Sequence, residues 1–262
     1  MPRRVSALSH NLSGKSNPFG SATSGVSLSR QIMPFLPIHE AATSGDVDAL
    51  RRALEDGGSP NAADTPYGFT PLHYLCGGVE GGDRVACVKL LIASGANVNV
   101  GNSADVTPLH FAILNHPEFV PLLLASGADP NCTTSGRQSA LHYVFMGEMD
   151  HNSRVVKAMV QELIRAGGDV NLTNQHGRTP LEAAIFISNV GKLYPIFFRA
   201  GAALPAGNSV AYVRKIRAAG GFKRYEQNHL NAITATFVPK FPRLPPEMVR
   251  RVVEYAFHVG DY

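Results

Sequence analysis

The chain has 262 residues, of which 44% are hydrophobic and 17% are charged. That apolar content is enough to bury a core, so the composition excludes a chain that is disordered throughout. Trp is absent, whereas 25 Gly and 18 Pro are present, which is typical of short elements joined by many turns. Because no apolar run approaches the roughly 18 residues of a membrane span, we expect no membrane-embedded segment.

The net charge of +4 is distributed unevenly along the chain. Residues 1–35 contain four basic side chains and no acidic one, residues 36–205 contain 11 basic and 16 acidic side chains, and residues 206–262 contain 9 basic and 4 acidic side chains. The central part is therefore acidic and the two ends are basic. Since phosphate contacts need a basic face, we expect no nucleic acid partner for the central part.

The N-terminal segment 1–33 is rich in Ser and contains Arg3, Arg4, Lys15 and Arg30. It lacks the apolar centre of a secretory signal, and we predict a disordered basic tail. A cleaved organelle-targeting segment has a similar composition and stays open as an alternative. The chain's three cysteines include no CxxC pair, which argues against a disulfide framework and favours the cytoplasm or nucleus.

A tetrapeptide recurs five times in the central part of the chain. It reads LPIH at 36–39, TPLH at 70–73, TPLH at 107–110, SALH at 139–142 and TPLE at 179–182. An apolar segment that ends in glycine follows each copy. These glycines are Gly57, Gly95, Gly127, Gly167 and Gly201. Two motifs that alternate in a fixed order indicate a structural repeat.

Each motif has a local physical role. Thr or Ser caps the first turn of a helix, and Pro is favoured at its first position, where its missing N–H costs nothing. Glycine readily adopts the left-handed conformation that ends a helix. Between them, apolar residues at helical spacing, such as Val88, Leu91 and Ile92, predict a second helix. One helix pair cannot bury its own apolar face, so the units must stack.

The two motifs and their spacing near 33 residues resemble the ankyrin-repeat family over residues 34–205. The resemblance implies an all-α fold, an ankyrin-repeat solenoid of five units that binds proteins without catalysis. The first unit opens with Leu36 in place of Thr, so we expect it to be an N-terminal capping unit.

Histidine occupies the last position of four of the five tetrapeptides. We predict that these rings hydrogen-bond nearby backbone, because zinc binding requires clustered Cys or carboxylate partners. We expect Cys76, Cys87 and Cys132 to be small buried hydrophobic residues. The chain contains neither a GxxxxGK phosphate loop nor a GxSxG elbow, so we predict no enzyme activity, no cofactor and no metal.

The family resemblance implies that hairpin tips and the concave side of the first helices contact partners. The implied tip residues are Tyr67, Phe69, Ser103, Val106, Arg137, Gln175, His176 and Arg178, and the implied concave positions are Thr43, Ser44, Leu114 and Asn115. Tyr67 and Phe69 are the best candidate anchors, since aromatic side chains dominate binding hot spots. Alternatively, these two rings pack locally, because their turn is one residue longer than its neighbours.

Residues 206–262 depart from the repeat pattern. We predict helices over Ser209–Ala219 and Phe222–Phe237, and an amphipathic helix that begins near Pro246. The apolar side of this last helix comprises Met248, Val249, Val252, Val253, Ala256 and Phe257. It either caps the last repeat or, because LPPEMVRRVVEY resembles the opening of an F-box or SOCS-box-like module, recruits a cullin ubiquitin ligase.

The sequence thus predicts a monomeric scaffold that binds a protein partner. The alternative is a substrate adaptor of a cullin-type ligase. Binding of the basic segment Arg214–Arg224 to nucleic acid or a membrane is a further alternative, against which a solvated helix is the simpler interpretation.

Overall fold

The computed structural model of the protein describes residues 36–78, 81–146, 154–187, 193–207 and 210–259. The predicted tail 1–33 lies outside these residues. The described residues form thirteen α-helices, two short 3-10 helices and no β-strand, so the protein has an all-α repeat fold. No helix within the described ranges is both long and apolar enough to cross a membrane.

The described chain divides into two compact units, of which the first ends at Gly136 and the second begins at Arg137. The helices of the first unit are α1 (Pro37–Ser44), α2 (Val47–Glu55), α3 (Pro71–Gly77), α4 (Arg84–Ala93), α5 (Pro108–Asn115) and α6 (Val120–Ala125), with a 3-10 helix at Pro117–Phe119. Those of the second unit are α7 (Ala140–Tyr143), α8 (Arg154–Arg165), α9 (Pro180–Ile187), α10 (Tyr194–Arg199), α11 (Ala211–Ala218), α12 (Phe222–Phe237) and α13 (Pro246–Val259), with a 3-10 helix at Val238–Lys240.

Every tetrapeptide opens the first helix of a pair, as predicted. In the first unit α1 packs on α2 and α3, α3 packs on α5, and α2 packs on α4, so consecutive pairs stack. Leu50, Leu72, Leu91 and Ile113 are completely buried between them. The five glycines that follow the second helices have φ between +87° and +91°, the left-handed conformation expected of them.

The tetrapeptide histidine caps its own helix and reaches the next hairpin. In the second repeat the Thr70 N–H donates to His73 Nδ1 over 3.1 Å, and His73 Nε2 lies 2.9 Å from the Val106 carbonyl oxygen. Because Nδ1 accepts a hydrogen bond, Nε2 carries the ring hydrogen and donates a hydrogen bond to the Val106 carbonyl. His142 makes the same pair of contacts, with the Ser139 N–H and the Arg178 carbonyl. His39, His73 and His142 therefore bond to backbone, as predicted, and each ties its repeat to the following hairpin.

Asparagines near the ends of three repeats, Asn61, Asn99 and Asn171, form a second tie. Asn99 Nδ2 donates to the Gly127 carbonyl over 2.9 Å, and Asn99 Oδ1 accepts from the Asp129 N–H over 2.8 Å. Asn61 in the first unit and Asn171 in the second make equivalent bonds. A side-chain amide is suited to this position because it donates and accepts at once.

The glycine-rich insertion after Gly77 separates α3 from α4, and Arg84 at its end is buried. The Arg84 guanidinium donates to the Tyr74 carbonyl over 2.8 Å and to the Thr43 carbonyl over 3.3 Å. Both acceptors lie in the last turn of a first helix, where the negative end of the helix dipole attracts a cation. Arg84 therefore joins the ends of α1 and α3.

The helices after the last repeat pack in succession. Aromatic pairs join them to α10, with ring centroids 5.3 Å apart for Tyr194 and Tyr212 and 5.4 Å apart for Phe198 and Phe222. Helix α13 packs on α12, where Leu230, Val249 and Val253 form a small buried cluster. Helices α11 and α12 therefore both contact α10, whereas α13 packs on α12, one layer further out.

Candidate protein-binding surface

Side-chain oxygens fix the conformation of the hairpin tips. Asn102 Oδ1 accepts from the N–H groups of Ala104 and Val106 over 2.9 and 3.0 Å. Asn174 holds the tip of the fifth repeat in the same way. In the first tip Asp64 takes this role, and its backbone pairs with Phe69, five positions on, where the other tips span four. The tips are therefore preorganised turns, and the first is one residue longer.

Neighbouring tips in the first unit also bond to each other. The Ser103 N–H donates to the Tyr67 carbonyl over 2.9 Å, and the Ser135 N–H donates to the Ala104 carbonyl over 3.0 Å. The structure thus brings the predicted residues Tyr67 and Ser103 together at adjacent tips. Since both turns are fixed, Tyr67, which is 50% exposed, is presented to solvent at low entropic cost.

Phe69 is not the exposed anchor that the tip position suggests. It is only 5% exposed, because its ring packs against the helices α3 and α5. Its ring centroid lies 5.6 Å from those of both Tyr74 and Phe111 and 6.0 Å from that of Tyr67. Local packing, the alternative weighed above, is therefore correct for Phe69, which supports three partly exposed rings.

Tyr74 and Phe111 are half-buried residues that directly follow the tetrapeptide histidines of α3 and α5. The Tyr74 hydroxyl donates to Asp64 Oδ2 over 2.6 Å, which fixes its ring. Burial, the Asp64 hydrogen bond and the Asp64 charge together raise the pKa of Tyr74, so it stays protonated. These two rings are not among the site residues predicted from the sequence, although their shared position after the tetrapeptide histidine was a usable signal.

The residue two positions before each Thr or Ser has a left-handed backbone. Gly68 and Gly177 occupy it in two tips, whereas Asp105 with φ of +57° and Arg137 with φ of +56° occupy it in the others. In the fourth repeat Gly136 precedes this position, and the left-handed residue is Arg137. A side chain at such a φ costs about 1–2 kcal/mol relative to the right-handed conformation. The exposed Arg137 is therefore held at a strained position.

The other predicted residues differ in exposure. Ser44, Ser103, Asn115, Gln175 and His176 are exposed, whereas Thr43, Val106, Leu114 and Arg178 are half-buried. Gln175, His176 and Arg178 share one tip of the second unit. Thr43, Ser44 and Asn115 bond to carbonyls of their own helices.

The cysteines do not form a reactive site. Cys76 and Cys87 are buried, as expected, but Cys132 is half-buried, which corrects the prediction for that residue. Burial raises the pKa of the Cys76 thiol, and burial helped by Asp83 raises that of Cys87 to about 11. In the part of the chain that the structure describes, no group of three His, Cys, Asp or Glu side chains could hold a metal ion.

The last helix leaves part of its apolar side exposed. Val249 and Val253 face α12, whereas Met248 is 49% and Val252 62% exposed. Phe241 and Leu244, in the turn before the helix, are exposed as well. The predicted apolar side is therefore only partly covered, and the side chains of Ala256 and Phe257 lie outside the description.

Comparison with known proteins gives a matching family and several relatives, including the following two. The family of ankyrin repeats (3 copies) matches residues 38–134. Palmitoyltransferase AKR1 of Kluyveromyces lactis is 31% identical over 201 residues, which are 75% of this chain and 20% of that protein. Ankyrin repeat and SOCS box protein 16 of Homo sapiens is 32% identical over 191 residues, which are 72% of this chain and 41% of that protein. The chain thus spans less than half the length of either relative.

Proposed function

Because this chain is an ankyrin-repeat protein, we propose that it is a non-catalytic scaffold that binds a protein partner through its hairpin tips and first helices. The observation that carries the proposal is the fixed, mutually bonded pair of tips that exposes Tyr67. Binding energy concentrates in aromatic side chains on preorganised backbone. The predicted residues Ser103, Val106 and Arg137 and the tip at Gln175–Arg178 complete the proposed contacts, together with Thr43, Ser44, Leu114 and Asn115.

We place this function in the cytoplasm or nucleus and assign it to a monomer. Three free thiols are compatible with a reducing compartment. The match to the palmitoyltransferase spans 20% of that protein, and we attribute it to the repeats, which carry no chemistry of their own.

Affinity capture with the full chain tests the scaffold. Tyr67→Ala is expected to reduce the captured partner at least about tenfold, since a central aromatic residue contributes about 2 kcal/mol or more to binding. Val85→Ala is the matched control, because Val85 is also an exposed apolar residue, 41% exposed, but lies on the second helix α4. Equal capture by wild type and both variants would remove Tyr67 from the interface, and no specific capture by the wild type would contradict the function.

An adaptor of a cullin-type ubiquitin ligase is the second candidate. It is favoured by the exposed Phe241, Leu244, Met248 and Val252, since several exposed apolar side chains in one segment are typical of a docking site. One relative is named for a SOCS box, which adds support.

The adaptor hypothesis predicts that a cullin complex co-purifies with the full chain and is lost in Met248→Glu/Val252→Glu. Both side chains are exposed, so this variant should keep the thermal stability of the wild type. Arg251→Glu, at an exposed neighbouring position, controls for charge. A variant that instead unfolds early would show that this part of α13 contributes to packing.

A further inference from the structure

In the first unit the basic side chains occur only on the second helix of each pair. Residues 36–136 contain 11 acidic and only 4 basic side chains, a net charge of −7. All four basic residues, Arg51, Arg52, Arg84 and Lys89, belong to the second helices α2 and α4. The described tips and first helices of this unit therefore carry no lysine or arginine.

The same side of the unit presents aromatic rings. Tyr67, Tyr74 and Phe111 surround the buried Phe69, and Tyr74 and Phe111 occupy equivalent positions on the packed helices α3 and α5. Their equivalent on α1 is Glu40, which is exposed. We call Glu40, Asp64, Tyr67, Tyr74, Asp105 and Phe111 the acidic aromatic surface.

Carboxylates lie beside these rings. Asp64 binds the Tyr74 hydroxyl, and the exposed Asp105 belongs to the tip whose Ser103 bonds to Tyr67. An aromatic face attracts a Lys or Arg side chain, and a nearby carboxylate pairs with the same cation. The tips and first helices described within residues 36–136 offer an acidic partner no lysine or arginine.

We infer that the acidic aromatic surface binds a Lys- or Arg-containing segment of another protein. The inference rests on the proposed scaffold function and names the chemistry of its partner. Arginine and lysine would lie over Tyr67 and Phe111 while Asp105 and Glu40 pair with their charges. The second unit has 16 basic and 9 acidic residues and therefore carries the opposite net charge. The preference for a Lys- or Arg-containing segment is thus restricted to the first unit.

Fluorescence anisotropy with the full chain and a labelled peptide of five Arg-Gly repeats tests the inference. Glu40→Gln/Asp105→Asn is expected to weaken binding about five- to tenfold, since each exposed pair contributes several tenths of a kcal/mol. Asp48→Asn/Glu55→Gln removes the same charge from exposed positions on α2 and should change the affinity less than about twofold. Tyr67→Ala should weaken binding about threefold, against no change in Val85→Ala.

Four outcomes would overturn the inference. The first two are no binding of the Arg-Gly peptide and equal binding of a Glu-Gly peptide. The third is an equal loss of affinity in Glu40→Gln/Asp105→Asn and in Asp48→Asn/Glu55→Gln. The fourth is markedly tighter binding of the Arg-Gly peptide after Arg3, Arg4, Lys15 and Arg30 are changed to Gln. The last outcome would show that the chain's own N-terminal segment occupies the surface. If affinity capture of a partner depends on Tyr67 while the peptide does not bind, the scaffold function stands and only the partner's chemistry is wrong.

Discussion

His73 makes the stability of the first unit depend on pH. Its ring is completely buried, accepts the Thr70 N–H at Nδ1 and donates to Val106 from Nε2. A second ring proton would replace the acceptor at Nδ1. Burial is the main cause that lowers the pKa of His73 from 6.5 to about 4, against smaller opposing effects of the Val106 carbonyl and Asp64.

The sign and size of the effect follow from the two protonation equilibria. At pH 7 the ring is neutral in both the folded and the unfolded chain, and its contribution to stability is fully present. Between pH 6.5 and 4 the unfolded chain binds the proton while the folded chain does not, so stability falls as the pH falls. The full loss is about 3 kcal/mol, and about 2 kcal/mol is lost by pH 5.

Urea unfolding at pH 7 and pH 5, followed by the helical circular dichroism signal, measures the effect. The free energy of unfolding of the wild type should fall by about 2 kcal/mol more than that of His73→Gln. His176→Gln, at an exposed tip histidine, should retain the pH dependence of the wild type. If His73→Gln does not fold, a titration of the His73 ring by NMR in the wild type decides. Protonation of that ring near pH 6.5 in the folded protein would refute the reasoning.

Three further outcomes test other parts of the structure. Asn99→Ala, which removes two bonds between repeats, should lower the free energy of urea unfolding by about 1–2 kcal/mol, and a loss below about 0.3 kcal/mol would contradict the proposed tie. Arg137→Gly should raise it by about 0.5–1 kcal/mol by relieving a φ of +56°, whereas a decrease would argue against strain. Iodoacetamide should label the half-buried Cys132 in the folded protein, and should label Cys76 and Cys87 only in denaturant, as detected by mass spectrometry. Labelling of Cys76 in the folded protein would contradict its burial.

The helices were predictable because their signals are local. Thr or Ser, Pro and His within one tetrapeptide fix a helix start, and glycine fixes the end of the next helix, so neither boundary depends on distant residues. The helix predicted over Phe222–Phe237 begins and ends at those residues in the structure. Its start is also a local signal, since Gly220 and Gly221 interrupt the chain immediately before it.

The features that the sequence reasoning missed depend on distant contacts. Phe69 is buried because its ring packs on Tyr74 and Phe111, which are 5 and 42 positions away. Arg84 is the first residue of a helix, where its side chain would be expected to be exposed to solvent. Its hydrogen-bond acceptors nevertheless include the Thr43 carbonyl in another repeat. Neither partner is visible in the local pattern, so exposure could not be assigned from residue type.

The fifth tetrapeptide differs from the other four in its last residue, and this marks a structural difference between the internal repeats and the last one. Glu182 replaces histidine, and its Oε2 accepts the Thr179 N–H over 3.1 Å, while its own N–H donates to Thr179 Oγ1 over 3.3 Å. The capping role is thus kept. A carboxylate has no N–H to donate to a following hairpin carbonyl, and no further tetrapeptide occurs in residues 206–262. Histidine thus adds a bond to a following hairpin, as in His73 and His142, and its replacement by Glu182 falls in the repeat on which α12 packs through α10.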